Sequence, residues 1–478
     1  MRYKIRYILL ALLIFVIFYS CVAVYHTKKP LPDGISMEGP IHYVTDKDIR
    51  FLSDLTYKGQ GQGEQLMEQT IFEHVFQAIK EAKQFIVIDM FLYNGFYKKG
   101  QSFPPLSSTL TEALIAKKRE YPELSIVVIT DDINTSYGSH PSPDLVRLRA
   151  SGIETLVTDV DPLRDSNPLY SAGWRIFAKW FGQSGKGWLT NLLANSAPDM
   201  TMRSYLKALN AKANHRKVVV TDQTMLVFSG NAHDASFYHS NSGFQVNGNI
   251  IRDALESEQA AIDLSEALTL PEYSRAEQER GDIEVRLLTE GKIMKHVLKN
   301  LSDTEAGDTI WMGMFYLADR EVIAKLLEAS TRGVHIQLIL DPNENAFGNK
   351  KFGIPNRPVA SELLKKSDNR INIRWYNIGQ EEYHTKLMLI QHKKRAIIHN
   401  GSTNFTTRNL DDLNLETNLW VNAPEESKVA KDVQQYFDRL WGNKDAVFTL
   451  GYDAYRDKTI FLKRILYRLQ SWLDFTTF

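Results

Sequence analysis

Cysteine is all but absent: the 478-residue chain has one, Cys21. A single thiol closes no intrachain disulfide and builds neither a cysteine zinc site nor an iron–sulfur site. Net charge is missing as well. Lys+Arg and Asp+Glu are both 57, which argues against a broadly basic nucleic-acid coat protein while leaving room for a local basic groove. No His-Glu-x-x-His or paired-cysteine pattern occurs, so neither a metal nor a cofactor is expected. What is present is ordinary globular material, 43% hydrophobic and 24% charged, long enough for two or three domains or one large internally repeated one.

The first 34 residues hold the longest apolar run. No residue from Ile8 to Tyr25 is charged, and 18 residues come close to spanning a hydrocarbon core of about 30 Å. Arg2, Lys4 and Arg6 precede the run, and Lys28 and Lys29 follow it. The slight basic excess on the N-terminal side predicts a single-pass anchor with the body outside the cytoplasm. Two rivals remain: lipidation at Cys21, which follows Ser20 at the end of the run, and cleavage as a signal peptide.

Beyond residue 36 one pattern occurs twice. Phe85–Ile88 reads as a strand ending at Asp89-Met90-Phe91, then come a helix around 110–119 and a strand Ser125–Ile129 ending at Asp131. Ile310–Phe315, a helix around 321–331 stopped by Arg332-Gly333, and Val334–Leu340 ending at Asp341 repeat it. Apolar runs alternating with helices predict an α/β fold with both sheet faces covered. The stretch 251–280 is expected to connect the halves. The first half carries a surplus, placed at about 161–213, with Trp174, Phe177, Trp180, Phe181 and Trp188 on an expected helical face. That face reads either as core packing or as a lipid-interface helix.

Each half then reaches the same short motif. The first is His215-Arg216-Lys217, with Asp222 five residues after the lysine; the second is His384-Thr385-Lys386, with Gln391 at that place. Side chains two apart on a strand share a face, so each motif presents an imidazole beside an ammonium. Two such strands brought together suit a phosphodiester. The lysines neutralise phosphoryl oxygens, one neutral histidine attacks phosphorus, and the other, protonated, supplies the leaving oxygen with a proton. With 12 histidines, about one His-x-Lys triple arises by chance. His26-Thr27-Lys28, running on to Asp33, is read as that coincidence, because it lies beside the membrane segment without a following strand. The other two each precede an apolar strand and a Gly-polar turn: Gly230-Asn231 in one half, Gly401-Ser402-Thr403-Asn404 in the other.

Paired His-x-Lys motifs with a trailing Gly-Ser-x-Asn resemble the phospholipase D, or HKD, superfamily over most of residues 40–445. The resemblance implies two similar α/β halves packed about a pseudo-twofold axis with the site at the seam, preceded here by a transmembrane helix. It implies a covalent phosphohistidine formed on His215, with His384 as general acid and then base. Lys217 and Lys386 would hold the phosphoryl group, Asn404 would add a donor, Glu416 would steady a motif histidine, and Asp222 completes the catalytic set. Gln391 departs from the family's Asp. His233 is expected where the other half has Asn404, and Asn241 where it has Glu416. The organisation that follows is an anchor and linker (1–35), a first half (36–270), a second half (271–450) and a C-terminal helix (451–478).

The superfamily includes lipases, lipid synthases and nucleases. The anchor, the aromatic insert and residues 459–478 favour phospholipid and membrane as partners, with no obligate nucleic acid. Ile460, Phe461, Ile465, Leu466, Leu469, Trp472 and Leu473 are expected on one face of that last helix, flanked by Lys463, Arg464 and Arg468; it would lie on an anionic bilayer or pack on the body. Phospholipase D-type hydrolysis, cardiolipin synthase-type transfer and a membrane-anchored nuclease therefore stay open, as does the oligomeric state.

Overall fold

The computed structural model describes residues 2–478 apart from 60–64, 184–185, 266–267, 276–277, 347–348, 458 and 473–478. Apolar runs such as Val218-Val219-Val220 are buried on both sides, as strands between two covered faces must be. The first sheet contains β1 (Ile49–Lys58), β2 (Phe85–Met90), β3 (Ser125–Thr130), β4 (Glu154–Val157), β5 (Lys217–Thr221), β6 (Met225–Phe228) and β7 (Asn241–Val246). Their lateral order is β1-β7-β6-β5-β2-β3-β4. The second sheet contains β8 (Ile283–Thr289), β9 (Thr309–Met314), β10 (His335–Leu340), β11 (Ile371–Tyr376), β12 (Lys386–His392), β13 (Arg395–Gly401) and β14 (Thr417–Pro424). Its order is β8-β14-β13-β12-β9-β10-β11.

Each strand of the second sheet thus takes the place of the strand seven earlier. The pairing senses agree as well: β2-β3-β4 and β9-β10-β11 are parallel, and the other neighbours in these two series are antiparallel. Alternate residues of one strand serve different cores. Val218 and Val220 join Leu387, Leu389 and Leu419 in a core common to both sheets. Val219 and Met388 face outward, into separate cores covered by each sheet's own helices. The helix expected around 321–331 spans Arg320–Arg332; Asp319 caps it by accepting from Glu321 N and Val322 N, and Gly333 ends it at φ 92°, a left-handed position where glycine is cheapest.

Four expectations change. His42–Val44 pairs with β8 and extends the second sheet, although a boundary at 36 assigns it to the first half. Much of the stretch expected as connection is a largely buried helix, Ile250–Ile262, because its apolar residues recur at helical spacing. The insert's aromatic residues do not share one helical face. Its helix, Pro168–Gly173, runs on as a π turn over Trp174–Ala178 and then stops. Trp174 is buried, and Phe177, Trp180, Phe181 and Trp188 are exposed. The C-terminal helix, Ile460–Trp472, packs on the helix Asn356–Lys366 through its polar side. Tyr467 Oη donates to Ala318 O at 2.7 Å and Arg468 pairs with Glu362 at 3.0 Å. Phe461, Leu462, Ile465, Leu466 and Leu469 stay exposed; Leu473 and the side chain of Trp472 lie outside the described residues. At the other terminus α1 (Arg2–Lys28) is one helix, long and apolar enough to cross a membrane.

Candidate active site

The motif histidines stand just before the strands rather than in them. Lys217 and Lys386 open β5 and β12, and each His lies two residues earlier. Backbone bridges across the seam hold both entrances: Asn214 pairs with Leu415, and Ser240 with Tyr383. Each bridge sets a motif histidine beside a residue of the opposite half. His215 Nδ1 meets Glu416 at 2.9 Å, and His384 Nδ1 meets Asn241 Oδ1 at 3.2 Å. One half therefore braces the histidine of the other, reciprocally.

The lysines are held alike. Lys217 Nζ donates to His215 O at 2.7 Å and lies 4.9 Å from the centre of the Phe91 ring. Lys386 Nζ donates to His384 O at 2.8 Å and lies 5.3 Å from the Phe315 ring. Those rings also face His215 and His384, at 4.8 and 5.0 Å between centroids. A further layer repeats too. Asp131 accepts from Asn214 N and Asp341 from Tyr383 N, each at 2.8 Å. Phe91, Phe315, Asp131 and Asp341 all end strands of the repeated pattern, and that recurrence was the available signal for their roles.

The turn after the second hairpin strand corrects the register read from sequence. Ser402 Oγ donates to Glu416, and Thr417 N donates to Ser402 Oγ at 3.0 Å. In the first half Ser229 Oγ donates to Asn241 at 3.1 Å, and Ser242 N donates to Ser229 Oγ at 3.0 Å. Ser229 is thus the counterpart of Ser402, and Asn231, not His233, of Asn404. Counting from glycine misplaced the pairing, because Phe228 stands where the second half has Gly401. Gly401 is required locally: a Cβ there would lie 2.2 Å from Thr417 O. His233 still lines the cavity, with its ring nitrogens engaged by Ser236 Oγ and Phe96 O.

Asp222 is not brought to the site. It sits at the far end of β5, where one carboxylate oxygen accepts from Lys83 N at 2.8 Å and Gln84 N at 3.0 Å. Seven positions of extended chain separate it from the histidine, roughly 23 Å. Gln391 stands at the matching far end of β12. His215, His384 and Asn404 do meet around one cavity of about 280 Å³, with Glu416 behind His215 and the ammonium groups of Lys217 and Lys386 behind the histidines. His239, Tyr316 and Arg408 also line it. They fall outside both motifs, and nothing in the sequence distinguished them.

Burial sets the electrostatics. It lowers His215 to about 4, against the pull of the Glu416 carboxylate and with the push of Lys217. It lowers Lys217 to about 7. Burial first, then the neighbouring Lys217, holds Lys386 well below the usual lysine range; burial and Lys386 do the same to His384. Burial raises Glu416, yet His215 and Lys217 outweigh it and hold the carboxylate below its ordinary value. Burial thus favours the neutral form of both histidines and of Lys386 and weakens the charge on Lys217, and an entering anion would favour the cationic forms of the lysines. Glu416 can only accept, so His215 Nδ1 donates and Nε2 keeps its lone pair.

Residues 297–441 match the family model described as "Cardiolipin synthase, PLD-like domain". Within those residues the chain carries a phospholipase D-like domain. The crystal structure of phosphatidylserine synthase from Haemophilus influenzae is similar at a TM-score of 0.55 and 11% identity, covering 91% of this chain and 95% of that one. Polyphosphate kinase from Porphyromonas gingivalis aligns at 0.45 and 13% identity, over 90% of this chain and 56% of its own. Nuc, a phospholipase D family member from Salmonella typhimurium, aligns at 0.27 and 17% identity, over 34% of this chain and 95% of its own. The curated proteins give no match.

Proposed function

We propose that the protein is a membrane-anchored phospholipase D-type phosphodiesterase that acts on phospholipids through a phosphohistidine. The observation that carries this is the cavity to which each half supplies one histidine, each backed by its own half's lysine and braced from the opposite half. His215 Nε2 attacks phosphorus as the phosphorus–oxygen bond to the leaving group breaks. His384, protonated once the anion is bound, transfers its Nε2 proton to that oxygen. It then takes a proton from the incoming hydroxyl, which displaces His215 from phosphorus. Lys217 and Lys386 balance the charge developing on the phosphoryl oxygens.

The incoming hydroxyl decides the product. Water gives phosphatidic acid; a lipid alcohol gives transfer, the reading favoured by the cardiolipin synthase description of the matched domain. The apolar N-terminal helix and the exposed aromatic and leucine side chains favour lipid over nucleic acid. The body is proposed to lie outside the cytoplasm, with Lys4 and Arg6 retained inside. Purified protein incubated with labelled phosphatidylglycerol, with chromatography of the products, tests the proposal. Phosphatidic acid is expected for hydrolysis and cardiolipin for transfer. No lipid turnover together with cleavage of single-stranded DNA would put the nuclease in its place.

A further inference from the structure

The insert and α1 share an interface whose chemistry changes along the helix. Near its C-terminus the contact is polar. Asp165 N donates to His26 O at 2.9 Å, Arg164 Nε to Lys29 O at 3.0 Å, and Lys29 Nζ to Asp161 O at 3.4 Å. Further back it turns apolar. Tyr19 Oη donates to Leu169 O and lies against Gly173, where a Cβ would come within 3.0 Å of that oxygen. The rings of Phe15 and Phe177 are 6.1 Å apart.

Phe15 stands ten residues before Tyr25, the end of the uncharged run. At about 1.5 Å per residue it lies about 15 Å inside that end, roughly half the depth of a hydrocarbon core of about 30 Å. If α1 spans a bilayer, a segment touching Phe15 cannot remain in water. The outward side chains suit lipid: Leu169 is 65% exposed, Phe177 57%, Trp180 79% and Phe181 70%. The two charged residues of 166–181 are paired with the body, Arg175 with Asp165 at 2.7 Å and Lys179 with Asp161 at 2.9 Å. Backbone groups near its end are paired, Lys179 N with Trp174 O, Phe181 N with Ala178 O, and the Lys179 and Phe181 carbonyls with Arg203, as a lipid environment demands.

We propose that residues 166–181 enter the leaflet beside the C-terminal half of α1, as a second, non-spanning membrane element whose partner is the acyl region of a phospholipid bilayer. The proposal rests on reading α1 as a membrane anchor. Leu193, farther along the same insert, lines the cavity that holds His215 and His384.

Depth measurement tests this without turnover. In full-length protein carrying Cys21→Ser, single spin labels are placed through Leu12→Cys, Phe177→Cys, Phe181→Cys or Glu120→Cys. The variants are reconstituted into phosphatidylethanolamine–phosphatidylglycerol liposomes. Collision with oxygen and with a water-soluble nickel chelate is read by electron paramagnetic resonance. Positions 177 and 181 are expected to favour oxygen, as position 12 does, and position 120 to favour the chelate. Chelate-favoured collision at 177 and 181 overturns the proposal, whatever position 12 shows. Position 177 carries the ring contact with Phe15, and position 181 guards against local disturbance of that contact by the label. An enzyme inactive on phospholipid would leave the depth pattern standing, so the two readings fail separately.

Discussion

His215 and His384 differ in one atom pair, and that difference bears on their roles. A carboxylate holds His215 and an amide holds His384. Asn241 Nδ2 donates to His239 O at 3.0 Å, which fixes its oxygen toward His384. In the proposed mechanism, charge on His215 as phosphorus bonds to it is compensated by Glu416. His215→Ala and His384→Ala are each expected to lower turnover by at least about 10²–10⁴-fold with an unchanged circular dichroism spectrum. His26→Ala is expected to retain wild-type turnover, since His26 touches the insert and not the cavity; loss there would mean that its motif is no coincidence. A pH series reads the electrostatics. As pH falls through about 4, His215 gains a proton and the attacking lone pair is lost. As pH rises through about 7, Lys217 loses its charge and with it the free enzyme's hold on phosphate. The kcat/KM profile is thus expected to fall on either side of that window. Bound phosphate stabilises the cations, so kcat should hold to higher pH than kcat/KM; coincident alkaline limbs would count against lysine as the phosphate anchor.

Among the elements, β5 and its approach carry the seam. Arg216, between the two site residues, is fully buried and points away from them. Its guanidinium meets Glu290 at 2.8 Å, Ser257 O at 2.7 Å and Glu258 at 3.5 Å. Glu290 in turn accepts from Glu416 N at 3.0 Å and from Ser36 N at 2.8 Å. One arginine thereby links the helix Ile250–Ile262, the linker after α1 and Glu416 at the entrance to β14. Arg216→Leu leaves buried carboxylates uncompensated and is expected to cost about 3–5 kcal/mol, read as a lower denaturant midpoint. A midpoint within error of wild type would show that the network contributes little. The alternation on which the motif was read describes β5 itself well, yet it did not show that Arg216 would hold the halves together. Its ion-pair partners lie 42 to 74 residues away in sequence, and no local spacing encodes them.

On the scale of the whole molecule, α1 is more than a tether. The body begins before residue 36: Ile35 is buried, and Met37 N donates to Thr289 Oγ1 at 2.7 Å. A truncation that respects this removes 1–28 rather than 1–34. It is expected to retain activity on a short-chain soluble phosphodiester and to lose it on bilayers. Equal bilayer rates for truncated and full-length protein would contradict the membrane-substrate reading. Turnover is also expected to survive EDTA, because lysines supply the charge stabilisation. Full loss restored by one divalent cation would refute the two-histidine mechanism. Protease added to intact cells should degrade the body; protection would reverse the proposed topology.

The sequence by itself determined what is local or repeated. Apolar runs with helices between them set the α/β class. The two His-x-Lys motifs, read with their following strands, marked the chemistry, and an uncharged run marked α1. These signals lie within a few residues of one another, where backbone geometry and burial act directly. Tertiary structure alone decided what depends on chains meeting across the seam. It matched Ser229 with Ser402, carried Asp222 to the far end of a strand, set Asp131 and Asp341 beneath the histidines and laid the insert along α1. Such contacts are fixed by how two sheets share a core, and residues separated by tens to hundreds of positions carry no spacing from which to read them.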